Sequence, residues 1–315
     1  MRGWIALIMV LLGLVLDIDI KQIAIIGSTA SGKTALAIEY AKRINANILS
    51  LDSLAIYREI DIVSAKPTIE DREGIRHFGL DVIYPDEPFD VTTFIELYRE
   101  AKENSTKEGK NLIIVGGTSF YLKTLLYGLS PMPKISQKTR DKTAKILQSS
   151  ITNAYATLYS LDENYMRNIA STDNYRIEKM LNLYYETGVT PSDYFRQNPP
   201  QPTITEPLPI YEITVDREIL RERIRIRTDK MLDMGLIDEV SSLEKRYGRT
   251  PNCMKAIGIK ETLDFFDGIY KEEEMREKII INTARLAKRQ RTFNRSQFKK
   301  KSSLPLNELK ELLLQ

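Results

Sequence analysis

The 315-residue chain predicts an α/β fold, a parallel sheet with flanking helices and an inserted helical subdomain. Three observations predict it. Short apolar runs alternate with helical patterns over residues 20–130. The octapeptide GSTASGKT (27–34) sits between one such run and an amphipathic stretch. A polar, mainly helical region then interrupts the alternation before a further apolar run returns.

The apolar and charged fractions, 42% and 28%, are those of an ordinary globular protein and exclude disordered and collagen-like classes. The length allows about two domains. A single cysteine, Cys253, excludes a disulfide framework or a cysteine-based zinc site and fits a reducing compartment. The segment WIALIMVLLGLVL (4–16) reads like a signal-peptide core, yet it is too short to span a bilayer and no small-x-small cleavage site follows it. Residues 1–19 are expected to be a buried or flexible extension, or the product of a start assigned too far upstream, with a membrane anchor as the alternative. A cytoplasmic protein without stable membrane association is expected, because phosphate-loop proteins normally work there.

In order along the chain, IAII (23–26) is the first strand, and GSTASGKT follows it with the spacing G-x-x-x-x-G-K-[ST]. Backbone N–H groups of Gly27, Ser28, Thr29, Ala30, Ser31 and Gly32 are expected to cradle a phosphate. Lys33 adds a point charge, and the Thr34 hydroxyl is placed to help hold Mg²⁺. TALAIEYAKRI then reads as a helix. NILSL (47–51), LDVI (80–83) and LIIV (112–115) are the next strands, and Phe94, Leu97, Tyr98 and Ala101 recur at helical spacing between the last two. After GLSPMP (128–133) the polar helical region begins, closed by NPPQPTITEPLP (198–209). IYEITV (210–215) resembles a returning core strand, and from Asp216 onward everything reads as helical. The expected layout is an extension (1–19), a phosphate-loop core (20–130), an inserted helical subdomain (131–206), a return strand with basic helices (207–300) and a tail (301–315).

A hydrolytic NTPase needs a strand ending in an acid that holds Mg²⁺ through water. LIIV ends instead in Gly116, Gly117 and Thr118. The acid that does appear is Asp52, at the end of the second strand, where ligands sit in open α/β sheets. It can act as a general base on a nucleophile opposite a bound phosphate; a turn-forming aspartate is the alternative. Thr118 can donate to a leaving oxygen or orient the nucleophile, or cap the helix SFYLKTLLYG. Lys66 offers a second cation near the site, or an exposed loop lysine. Arg285 to Lys301 carries eight Lys or Arg and no acid, with Phe293 and Phe298 interleaved, and Arg221, Arg223, Arg225 and Arg227 alternate nearby. These read as a phosphate-tracking nucleic-acid surface, against the alternative of solvated helix faces.

GSTASGKT, LDSLAIYREIDIVSAKP, VGGTSFYLKTLLYGLSPMP, KAIGIKE and TARLAKRQRTFNR, in that order, resemble the motifs of the tRNA dimethylallyltransferases over about residues 22–298. The resemblance implies that the loop holds the diphosphate of dimethylallyl diphosphate as a leaving group, with Mg²⁺. It implies alkylation of N6 of adenosine 37 in the anticodon stem-loop of tRNAs reading codons beginning with U. Asp52 matches the family's catalytic aspartate and Thr118 its motif threonine. tRNA contacts are implied at Asp52, Ser53, Leu54, Ala55, Thr118 and Arg140, and at Tyr175, Arg176 and Lys179 of DNYRIEK. They are implied also at Lys255, Gly258 and Lys260 of KAIGIK. Tyr175 stands where the family has glutamine, Lys179 where it has a second arginine, and Ile259 where tyrosine is common. GIRHFGLDV (74–82) lacks the usual paired histidines, and His77 is expected to be structural. A monomer is expected. The rival readings are a P-loop nucleoside or metabolite kinase, an adenylate-type isopentenyltransferase and a non-enzymatic RNA-binding protein.

Overall fold

The structure is a computed structural model that describes residues 20–315; the extension expected at 1–19 lies outside the described residues. The chain divides into two compact units. Among the described residues, one combines 20–123 with Glu206–Gln315, and the other is Thr124–Thr205. The latter covers most of the segment expected as a helical insertion at 131–206.

The first unit holds β1 (Gln22–Gly27), α1 (Lys33–Ile44), β2 (Ala46–Leu51), β3 (His77–Phe78), α2 (Val91–Lys107) and β4 (Asn111–Gly116). At its end α3 (Ser119–Tyr127) leads into the second unit, which contains α4 (Gln137–Ser149), α5 (Ile151–Leu161), α6 (Glu163–Met166), α7 (Asn174–Thr187) and α8 (Pro191–Gln197). The chain then returns as β5 (Ile210–Thr214), α9 (Arg217–Asp233), α10 (Leu236–Tyr247), α11 (Ile259–Phe266), α12 (Glu272–Gln297), β6 (Ser302–Pro305) and α13 (Leu306–Leu314).

The six strands form one parallel sheet in the order β3-β2-β4-β1-β5-β6. Side chains alternate across a strand, so Ile23, Ile25, Ile48, Ile113, Val115 and Ile213 share one face. There they pack with Leu36, Ala37, Ile38 and Ala41 of α1 and with Leu309 and Leu313 of α13. Residues of the other parity, such as Leu49 and Leu51, are buried too, which is why these strands read as unbroken apolar runs. In the second unit, Ser136, Ser150, Asp162, Asp173 and Thr190 each accept an N–H in the first turn of the helix that follows. The helices close over Ala154, Leu158, Met166, Ile177, Leu181 and Leu183.

Two strand expectations differ from the structure. The third strand is His77–Phe78, not LDVI (80–83). Gly79 and Asp81 both adopt left-handed backbone, which ends the strand, and only Ile83 keeps a bridge, to Tyr57. The chain after Asp216 is also not wholly helical, because Ser302–Pro305 pairs with the exposed edge of β5 as β6. A four-residue edge strand with one partly buried side chain, Leu304, carries too little apolar periodicity to show in the sequence.

The sheet's carboxyl ends approach closely at Gly116. A Cβ there would lie 2.5 Å from the Leu51 carbonyl oxygen, a backbone atom that cannot step aside alone. Gly116→Ala is expected to destabilise the protein by about 1–3 kcal/mol, the usual overpacking cost. It should also lower activity by spreading the ends of β2 and β4. Thermal unfolding checks it: an unchanged Tm would mean that the two strand ends part without penalty.

Candidate active site

Strand order reverses between β4 and β1, since β1 is followed by β2 on one side while the chain returns as β5 on the other. Ligands of open α/β sheets bind in the crevice at such a switch point. A cavity of about 400 Å³ opens there in the first unit. Thr29, Lys33 and Thr34 reach it from the loop before α1, Asp52 to Ala55 from the end of β2, and Gly116, Gly117 and Thr118 from the end of β4. Arg227 enters from α9, Lys255 and Gly258 from the turn before α11, and Gln290 from α12.

The loop gathers positive charge at the start of α1. The Lys33 ammonium donates to the Ser28 carbonyl at 2.9 Å, which folds the side chain back over the loop. Its pKa is lowered to about 8, by burial first and then by repulsion from Arg227, while Asp52 pulls the other way. Arg227 donates to Thr29 Oγ1 at 3.3 Å and to the Ser64 carbonyl at 3.4 Å. Burial lowers its guanidinium too, and Asp52 opposes that shift. Two cations held close together in a partly dry crevice repel each other, so a polyanion that relieves the repulsion is favoured.

Asp52 Oδ1 accepts from the Leu54 and Ala55 N–H groups at 2.8 and 3.1 Å. This is an Asx turn made through Oδ1 alone, so the turn leaves Oδ2 outside it and does not preclude a role as base. The Thr118 N–H donates to the Leu51 carbonyl at 3.0 Å, which fixes the threonine beside Asp52's strand end. Lys255 and Gly258 belong to a turn secured by buried Glu261, which accepts from the Gly258 N–H at 2.7 Å and from Asn282 of α12 at 2.7 Å.

The structure brings Thr29, Lys33, Thr34, Asp52, Ser53, Leu54, Ala55, Thr118, Lys255 and Gly258 into one crevice. Gly27, Ser28, Ala30, Ser31 and Gly32 complete the loop between β1 and α1. Lys260 does not join them: it pairs with Asp264 at 2.7 Å on the exposed side of α11. Arg140, Tyr175, Arg176 and Lys179 lie in the Thr124–Thr205 unit, where Arg176 pairs with Asp173 at 3.3 Å and Lys179 sits 5.3 Å over the Tyr175 ring.

Lys66 is not a second free cation. Its side chain is 3% exposed, and its ammonium is taken up by Tyr57 O, Asp61 and Asp81 at 2.6–2.8 Å. The four alternating arginines of α9 are likewise not one surface. Successive helix residues turn by 100°, so positions two apart face away from each other. Arg221 and Arg225 pair with glutamates three residues earlier, whereas Arg227 turns into the crevice. His77 lines the crevice with Nδ1 held by the Ile75 carbonyl at 2.9 Å, and burial lowers its pKa. Gln290 also lines the crevice, and charge patterning gives no signal for it because it is an uncharged residue between Arg289 and Arg291.

Fold and site together define an α/β protein whose crevice sets two cations and a helix start opposite a carboxylate. The profile of the IPP transferase family (IPPT) matches residues 55–297. The chain is 57% identical over 296 residues to a tRNA dimethylallyltransferase of Sulfurovum sp. (strain NBC37-1), covering 94% of this chain and 98% of that protein. It is 55% identical over 293 residues to one from Sulfurimonas denitrificans (93% and 98%). It superposes on the full-length tRNA isopentenylpyrophosphate transferase of Bacillus halodurans with a TM-score of 0.68, at 28% identity, over 94% of this chain and 95% of that one. A eukaryotic dimethylallyltransferase acting on tRNA gives a TM-score of 0.75, also at 28% identity, over 87% and 70%. The chain belongs to the IPP transferase family.

Proposed function

We propose that this chain transfers a dimethylallyl group from dimethylallyl diphosphate to N6 of adenosine 37 in tRNAs reading codons beginning with U. The observation that carries the chemistry is the convergence of Lys33, Arg227, Asp52 and Thr118 on one crevice at the switch point of the sheet. Family membership supplies the acceptor. In the reaction the N6 lone pair attacks the allylic carbon, and the carbon–oxygen bond breaks with its electron pair going to the diphosphate. The N6 proton passes to Asp52.

The chain's own residues divide the work. Lys33, Arg227 and the amides at the start of α1 meet charge that grows on the diphosphate as the bond breaks, so they stabilise the transition state more than the ground state. Thr118 orients the reacting centre. Thr34, at the exposed start of α1, lines the same crevice as Asp52 and offers a hard oxygen donor. Among the described residues no group of three or more His, Cys, Asp or Glu could hold a metal, so Mg²⁺ would take Thr34 plus diphosphate oxygens and water. When bound, Mg²⁺ neutralises diphosphate charge.

Adenine must leave its stack to enter the crevice, which costs least in a single-stranded loop. Arg285, Lys288, Arg289, Arg291 and Arg295 are exposed on α12, with no acid in the sequence between them, and offer a surface for tRNA phosphates. The reading includes a monomer working in the cytoplasm, and among the described residues no helix is long and apolar enough to cross a membrane.

The test is transfer of a radiolabelled dimethylallyl group into unmodified tRNA, with the same tRNA carrying G at position 37 as control. Label only in the A37 tRNA is expected. Absence of label, with ATP-dependent phosphorylation of a small acceptor, would replace this reading by a kinase.

Donor binding should depend on pH through Lys33. The side chain is charged below its pKa of about 8 and neutral above it, so the crevice loses a cation as pH rises. KM for dimethylallyl diphosphate is expected to be flat from pH 7 to about 8 and then to climb, approaching about tenfold per pH unit. A KM that stays level to pH 9.5 would mean that Lys33 does not lose its charge near pH 8 in the crevice or does not bind the donor.

A further inference from the structure

We infer that Gln290 is a positioning residue for donor binding: its side-chain amide holds the phosphate loop in the shape that accepts a diphosphate. The inference rests on the reading that the loop binds the donor's diphosphate. Gln290 is half-buried on α12, between the exposed Arg289 and Arg291, and its amide points into the crevice. Its Oε1 accepts from the Thr29 N–H at 2.8 Å.

Thr29 is thus held from two sides, by Gln290 at its backbone and by Arg227 at its hydroxyl. The next residue explains why a clamp is needed. Ala30 sits at φ 60°, a left-handed conformation that a residue with a Cβ does not hold by preference. Freed from its neighbours, this part of the loop would relax toward ordinary backbone and carry the anion-binding amides away from one another. A binder that must first reorder its loop binds more weakly than one already in shape.

The other end of the same amide lies against Gly117. A Cβ on Gly117 would lie 2.5 Å from Gln290 Nε2 and 3.3 Å from its Cδ. The amide is the end of a flexible side chain, so it would swing aside and release the Thr29 N–H. The missing side chain at Gly117 therefore makes room for the bridge from α12 to the loop, beside Thr118.

The experiment measures binding of inorganic diphosphate with Mg²⁺ to the full chain by calorimetry, together with steady-state kinetics and Tm. Gln290→Met, which fills the same space without an acceptor, is expected to weaken diphosphate binding about tenfold, the effect of one lost hydrogen bond. It should raise KM for dimethylallyl diphosphate similarly while kcat stays within about threefold. Gly117→Ala is expected to weaken binding to the same extent, and the double variant no further, because both changes break one contact. A lowered Tm with diphosphate affinity unchanged in Gln290→Met would overturn the inference, as would full additivity of the two variants. Diphosphate binding by the wild type without prenyl transfer to tRNA would refute the proposed function and leave this inference standing. Failure of the wild type to bind diphosphate would overturn both.

Discussion

Replacing Asp52 by asparagine is expected to lower kcat by about 10²–10⁴-fold, the range for a lost general base, with KM for both substrates within a few fold. Asparagine retains an Oδ1, so it can still accept the Leu54 and Ala55 N–H groups at 2.8 and 3.1 Å and keep the turn after β2. What it cannot do is take a proton from N6. The variant therefore separates the turn role that the structure shows from the proposed role as base. Asp52→Ala would confound them, because the turn would lose its acceptor as well. Single-turnover rates at saturating tRNA and donor are the measurement to make. A kcat within a few fold of wild type would take the base away from Asp52 and leave it a turn residue.

Replacing Arg227 by methionine is expected to lower kcat/KM for dimethylallyl diphosphate by about 10²–10³-fold, the loss seen when a donor aimed at developing charge is removed. The KM for tRNA should hardly move. The same variant carries a second, independent signature. Arg227 helps to keep the Lys33 pKa near 8 by repulsion, so its removal should raise that pKa and move the alkaline rise in donor KM to higher pH. Methionine keeps much of the buried side-chain volume, which guards against a trivial cavity effect. An alkaline rise at the same pH in both proteins would mean that the two cations do not share the crevice. An unchanged kcat/KM would mean that Arg227 serves only to hold Thr29 and Ser64.

Much of the site was legible from local sequence. The loop GSTASGKT is an eight-residue motif between a strand and a helix, so its place in the fold follows from local sequence. Asp52 and Thr118 were found because each ends an apolar run, and the ends of parallel strands meet on one side of a sheet. The strands themselves were visible where both faces are covered, as in Ile23–Ile26 and Leu112–Val115. LDVI is not a strand because left-handed backbone at Gly79 and Asp81 ends the pairing after Phe78, and Ser302–Pro305 gives no signal because a short edge strand needs little apolar surface.

By itself the sequence determined the fold class, the phosphate loop, the acid opposite it and the family. Those depend on short motifs and on hydrophobic periodicity, which are set within a few residues. Tertiary structure alone decided how the charges are used. Lys66 looked free until Asp61, Asp81 and the Tyr57 carbonyl closed around it. Arg227 looked like part of a surface patch until the rotation of α9 turned it to Thr29, 198 positions away. Gln290 had no signal at all, because its partner Thr29 is 261 positions distant. A side chain's charge is written in the sequence, but its energy depends on burial and on what it faces, and both are fixed only when distant elements pack.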